Sequence, residues 1–142
     1  MNDKIVGPVH WSFWAIGAIG LVWNVLGCLN FFLQMNAEAV AGMPESYRAI
    51  VESRSAWATG AFAIAVFGGT LGSLLLLLRK PAAYYLFIAS LFGAVGAQLP
   101  LLGMADFPVA ALIGGLMQLA VTAFLIWYSK HAEGKGWIRR EQ

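Results

Sequence analysis

Four carboxamides stand inside otherwise apolar runs of this sequence, and three of them, Asn24, Gln98 and Gln118, are candidates for a site. A carboxamide carries donors and an acceptor together, and in hydrocarbon each of them needs a protein partner or a ligand. Asn24 and Gln118 fall near mid-depth of their runs and Gln98 falls towards one end. They could bond helix to helix, at about 0.6 kcal/mol per interaction. They could instead converge on a small uncharged or lipid-like ligand. The other polar side chains in the runs are Asn30, Thr59, Thr70, Ser73, Ser90 and Thr122, and hydroxyls can bond the carbonyls of their own helix.

No Lys, Arg, Asp or Glu lies within these runs, whereas ion-coupled carriers and proton relays usually place such a group near the membrane midplane. Nor is there a nucleophile paired with a base, a phosphate-binding glycine loop, or a Cys/His metal spacing. The residues therefore read as non-catalytic, with no cofactor and no metal. His10 and His131 fall at the polar ends of apolar runs, where imidazoles serve as interfacial anchors. The single Cys28 reads as a small packing residue.

Such side chains need elements to hold them, and the composition names the solvent. Of 142 residues, 60% are hydrophobic and 11% charged, against roughly 25% charged in soluble domains. A net charge of +2 gives no basis for a nucleic-acid partner. The partner is a lipid bilayer. Ser55 to Leu78 is 24 residues without a charge, long enough to cross a hydrocarbon core of about 30 Å. It ends at Arg79-Lys80, and Pro81 is placed to begin the next helix. The spans are expected at about 10–33, 57–78, 82–102 and 108–128, with Asp106 as N-cap of the last. The first run is longer than the roughly 7–15 apolar residues of a signal peptide, so it reads as a span that stays. Residues 129–142 form a polar, basic tail. Between the first two spans, Pro44 followed by Tyr47, Ile50 and Val51 predicts a short amphipathic helix. The fold class is all-α, a four-transmembrane-helix bundle with that short helix in the outer loop.

Small residues recur at helical spacing. Gly68 and Gly72 follow Ala61 and Ala65, Gly93 stands between Ala89 and Ala97, and Gly20, Asn24 and Gly27 share a face. Lipid gives no hydrophobic reward for helix association, so close contact along such stripes must supply much of it. The stripes serve packing within one bundle, but they outnumber what one short bundle needs, so one turned outward is expected to build a homo-oligomer. The function expected is a non-catalytic component that self-associates or supports a partner, the alternative being a carrier or pore for a small uncharged solute.

Four spans put both termini on one side, which collects Lys4, Arg79, Lys80, Lys130, Lys135, Arg139 and Arg140. The other side receives only Arg48 and Arg54, so the positive-inside rule makes the termini cytoplasmic. Trp11, Trp14, Tyr84, Tyr85, Trp127 and Tyr128 fall at the cytoplasmic interface and Trp57 at the other.

The pattern Trp23-Asn24-x-x-Gly27-x-x-Asn30-Phe31, an outer loop with Pro44, then Trp57 and Gly68-Gly69-x-x-Gly72-Ser73 before a leucine run and Arg79, resembles a family of small bacterial four-helix membrane proteins. Its members are often labelled "sugar transporter" or left uncharacterised. The resemblance covers the first two spans and the turn after them, and implies a bacterial inner membrane. Where relatives often carry an acidic residue after the first span's glycine, this chain has Asn30. The topology has a direct check: reporter fusions after Lys80 and after Gln142 should both give cytoplasmic signal, and a periplasmic signal at either point would overturn the orientation or the helix count.

Overall fold

The computed structural model describes residues 9–103 and 109–138, without the side chains of Ser53 and Ala110. These residues are helical throughout, joined by short turns, with no strand among them. The order is α1 (Trp11–Gln34), α2 (Ala37–Ala41), α3 (Glu45–Ser53), α4 (Ala56–Leu77), α5 (Ala82–Gln98), a 3₁₀ turn (Leu99–Gly103) and α6 (Val109–Gly134). Four helical stretches (α1, α4, α5 continued through the 3₁₀ turn, and α6) are long and apolar enough to cross a membrane. The chain is an all-α, multi-pass membrane protein.

The helix ends follow local chemistry. The His10 imidazole accepts from the Ser12 amide at the start of α1, the Asn36 side chain from Ala39 in α2, and the Ser55 hydroxyl from Ala58 in α4. The expected loop helix is α3, with Pro44 at its N-cap. Tyr47, Ile50 and Val51 turn partly inward while Glu45 and Glu52 stay exposed. This helix does not run on into the next span. A break occurs instead, because Arg54 and Ser55 are extended and Ser55 starts α4 afresh. The five-residue α2 was not expected. The cap proposed at Asp106 lies outside the described residues.

α4 packs chiefly on α5, with α1 against the other side of α4 and α6 against α5. The α4–α5 contact is close because it lacks side chains at the crossing. A methyl group on Gly93 would sit 2.6 Å from the Ala61 carbonyl oxygen and 2.7 Å from the Ala65 nitrogen. The Ser90 hydroxyl donates across to the Ala65 carbonyl at 2.6 Å. Gly72 lies under the Phe87 ring and Gly68 against Ser90. Gly20 and Gly27 meet Leu125 and Val66. The glycine stripes are thus used inside the chain.

The tail requires a correction. α6 runs six residues past the expected end at Tyr128, to Gly134, and the chain then turns back into the bundle. Tyr128 and Ala132 are core residues, and Ile138 is only 3% exposed. The reason is local. Gly134 leaves the helix intact, whereas Gly136 adopts φ 80°, the left-handed conformation that ends a helix and reverses the chain. The Trp137 amide donates to Ala132 at 2.9 Å and that of Gly136 to Glu133 at 3.0 Å, which is a Schellman closure. α4 ends the same way, with Lys80 donating to Leu75, Arg79 to Leu76, and Arg79 itself at φ 63°. The Arg79 Nε donates to the Trp137 carbonyl at 2.6 Å and ties the two closures together. Trp137 also meets the rings of both His10 and His131.

Gly93→Ala should lower unfolding free energy by about 1–3 kcal/mol, the usual cost of overpacking, because the opposing atoms are backbone. Gly60→Ala, which meets open space, should be neutral or stabilising. Equal melting temperatures for the two variants in detergent would contradict the close-contact account.

Candidate functional site

α1 and α6 close the ring of four helices only thinly. Towards the end that carries α2 and α3, their separation leaves a partly open cavity of about 400 Å³. Its polar wall consists of Asn30 and Gln34 from α1, Tyr47 from α3, Arg54, Gln98 from α5 and Gln118 from α6. Trp23, Phe62, Val66 and Ala94 supply apolar surface. Gly114 and Gly115 give the α6 wall its depth, and the Gln98 amide lies directly on Gly115.

Gln118 is the most fully engaged of these groups. Its Oε1 accepts the Trp23 indole N–H at 2.6 Å, and its Nε2 donates to the Thr122 hydroxyl one turn away at 3.0 Å. The Trp23–Gln118 bond is a crossbar between α1 and α6 where the two backbones stand apart. Beyond it, a second, wholly apolar space of about 410 Å³ continues along the same seam, lined by residues such as Ile16, Ile19, Val121 and Phe124. Trp23 belongs to both walls.

Arg54 closes the opposite end of the polar wall. Its Nη1 donates to the Gln34 Oε1 at 2.7 Å, and its guanidinium stands 5.2 Å from the centroid of the Phe62 ring. Burial lowers the Arg54 pKa from its ordinary value. Among the described residues no carboxylate lies within ion-pair distance of it.

The three carboxamides singled out by sequence do not form one cluster. Gln98 and Gln118 share the cavity, and neither Asn24 nor Gln118 lies on the lipid-facing surface. Asn24, at 2% exposure, is held instead between α1 and α4, where its amide rests on the bare backbone of Gly69. Its Nδ2 donates to the Gly20 carbonyl of its own helix at 2.8 Å, so the expected bond to another helix is not what satisfies it. Its Oδ1, like the nearby Ser73 hydroxyl, has no hydrogen-bond partner among the described residues. Gly27 lines the cavity while Gly20 lines the apolar seam.

Sequence reading missed Gln34, Tyr47 and Arg54 as site residues because they fall in the polar connection, where a solvated role is the ordinary one. The one available signal was the pairing of inward-spaced Tyr47, Ile50 and Val51 with a cation at the mouth of a span. No protein-family model matches the chain, and no curated protein or solved structure shows a significant similarity to it.

Removing the crossbar should be measurable. Gln118→Leu should cost about 0.6–1.7 kcal/mol, the range of hydrogen bonds between membrane helices. Combined with Trp23→Phe, the loss should fall short of the sum of the single losses. Strict additivity in that cycle would show that the bond contributes nothing.

Proposed function

We propose that this chain is a small, non-catalytic protein that binds a small molecule of apolar body and few polar groups within the membrane. The observation that carries the reading is the cavity of about 400 Å³, in which Gln98 and Gln118 face one space beside Trp23 and Asn30. Ligand pockets commonly measure about 300–1,000 Å³, with mostly apolar walls and a few convergent polar groups, and this cavity has that character. The reading does not require a homo-oligomer, because the glycine stripes are engaged between helices of one chain.

In this proposal the membrane is the bacterial inner membrane and both termini are cytoplasmic, supported by the seven-to-two division of cations and by the family resemblance. The cavity then opens towards the outer leaflet, and its ligand comes from the periplasmic side or from the lipid through the α1–α6 seam. A carrier for an uncharged solute is a natural extension, since Gln98 and Gln118 offer neutral hydrogen bonds.

The test uses dodecanol carrying a mid-chain diazirine, added to the protein in phosphatidylcholine nanodiscs and irradiated. Label should concentrate on the cavity and seam residues of α1 and α6. Gly114 lines the cavity and a Cβ there meets nothing within 4 Å, so Gly114→Trp brings a ring to the cavity wall with no backbone clash at its Cβ. It should cut that labelling roughly tenfold, equivalent to about 1.4 kcal/mol, with the melting temperature unchanged. Label spread evenly over lipid-facing residues and indifferent to Gly114→Trp would overturn the proposal.

A further inference from the structure

The polar wall of the cavity is asymmetric in charge. Among the described residues Arg54 stands in it and no carboxylate does, since Glu45 and Glu52 face outward from α3. A guanidinium presents five N–H donors, and here one is given to Gln34 Oε1, a neutral acceptor. The Phe62 ring supports the cation from the side without neutralising it. A cation meant only to anchor the loop would gain more from the open interface than from a half-buried place beside a cavity. This one is positioned by Gln34 and Phe62, with donors left for a planar or tetrahedral anion.

The remainder of the space has the opposite character. From Trp23 the seam runs on between Ile16 and Ile19 of α1 and Val121 and Phe124 of α6, with no polar atom in its lining. The seam lies between a single pair of helices and holds about 410 Å³, which suits a single hydrocarbon chain. Trp23 lines both spaces, so a head at Arg54 and a tail in the seam would lie on either side of the Trp23–Gln118 bond, with the chain passing beside it.

We infer that the cavity selects single-chain amphiphiles bearing one anionic head group, carboxylate or phosphate in type, with the head at Arg54 and the tail in the α1–α6 seam. This rests on the reading of the cavity as a binding site, and it adds the charge and shape of the ligand. Tyr47 and Asn30 complete the head-group end with neutral hydrogen-bonding groups. Gln98 and Gln118 face the region where head passes into tail, and the Trp23–Gln118 bond marks the point beyond which only hydrocarbon is accommodated.

Two matched probes test it: dodecanol and dodecanesulfonate, each with the same mid-chain diazirine, the sulfonate being a fixed anion at every working pH. In phosphatidylcholine nanodiscs the sulfonate should label the cavity and seam at roughly tenfold lower concentration than the alcohol. Arg54→Gln should bring the two probes to near parity by cutting sulfonate labelling roughly tenfold, and its melting temperature in detergent, measured beside that of Arg54→Lys, checks that the variant is folded. Arg54→Lys should keep part of the preference. Arg48→Gln is the control, because Arg48 lies on the same loop but bonds the Ala41 and Met43 carbonyls outside the cavity wall. Its sulfonate preference should remain as in the unmutated protein. Parity of the two probes on the unmutated protein, or an equal loss in Arg48→Gln, would overturn the anion selection and leave the cavity reading standing. Failure of both probes to label the cavity at all would overturn both.

Discussion

The contact of α5 with α4 at Gly93 is the constraint on which the rest of the structure depends. There the α5 backbone lies directly against the Ala61 carbonyl and the Ala65 amide nitrogen of α4, and Ser90 adds a hydrogen bond at the same level. In lipid no water is released when two helices meet, so the gain comes from dispersion at short range and from the bonds that short range permits. Such an interface is stiff, and it makes α4 and α5 a common spine. α1 and α6 pack on opposite sides of that spine, and their own meeting is what remains. It is closed by side chains: Phe13 near Tyr128, Leu125 at Gly20, and Trp23 bonded to Gln118. The cavity is a consequence of this order of closeness.

Much of this was legible in the residues. Charge-free length located all four spans, and proline, serine and the Arg79-Lys80 pair located their ends to within a residue or two, except at the last. The end of α6 was not legible, because Ser129 to Gly134 is polar on average while Ser129 and Ala132 belong to its buried face. A mean over composition cannot show which face is covered, and here the covering element is the chain's own return at Trp137 and Ile138. The site was half legible. Gln98 and Gln118 are conspicuous because apolar sequence surrounds them. Arg54 is not, since its significance comes from a fold-back of α3 that brings the connection over the span it precedes.

The contrast between Asn24 and Gln118 shows how similar groups acquire different roles. Both are carboxamides near mid-depth. Asn24 meets a glycine on α4 and the Gly20 carbonyl of its own helix, so close packing encloses it entirely. Gln118 meets no backbone from α1, because the helices are apart there, and reaches only the tip of the Trp23 indole. Enclosure makes Asn24 a packing element with an acceptor left over. Separation makes Gln118 a wall residue whose partners can be exchanged. The local distance between helices, itself set by glycine placement, decides between the two.

The same geometry bears on whether binding could extend to transport. The cavity leaves one end of the bundle accessible, while Phe13, Leu76, Phe87 and Tyr128 fill the other. That filled end is closed further by Trp137 and Ile138, which the Arg79–Trp137 bond attaches to the end of α4. A solute leaving on that side would have to part this aromatic cluster, and the α4–α5 spine is too closely packed at Gly93 to separate. The movable parts are therefore α1 and α6, each packed on one side of the spine and joined to the other by little. Any exit path must run along their seam, past Trp23. Binding and passage would thus use the same residues, and an amphiphile could move along the seam with its tail in lipid and only its head requiring the protein.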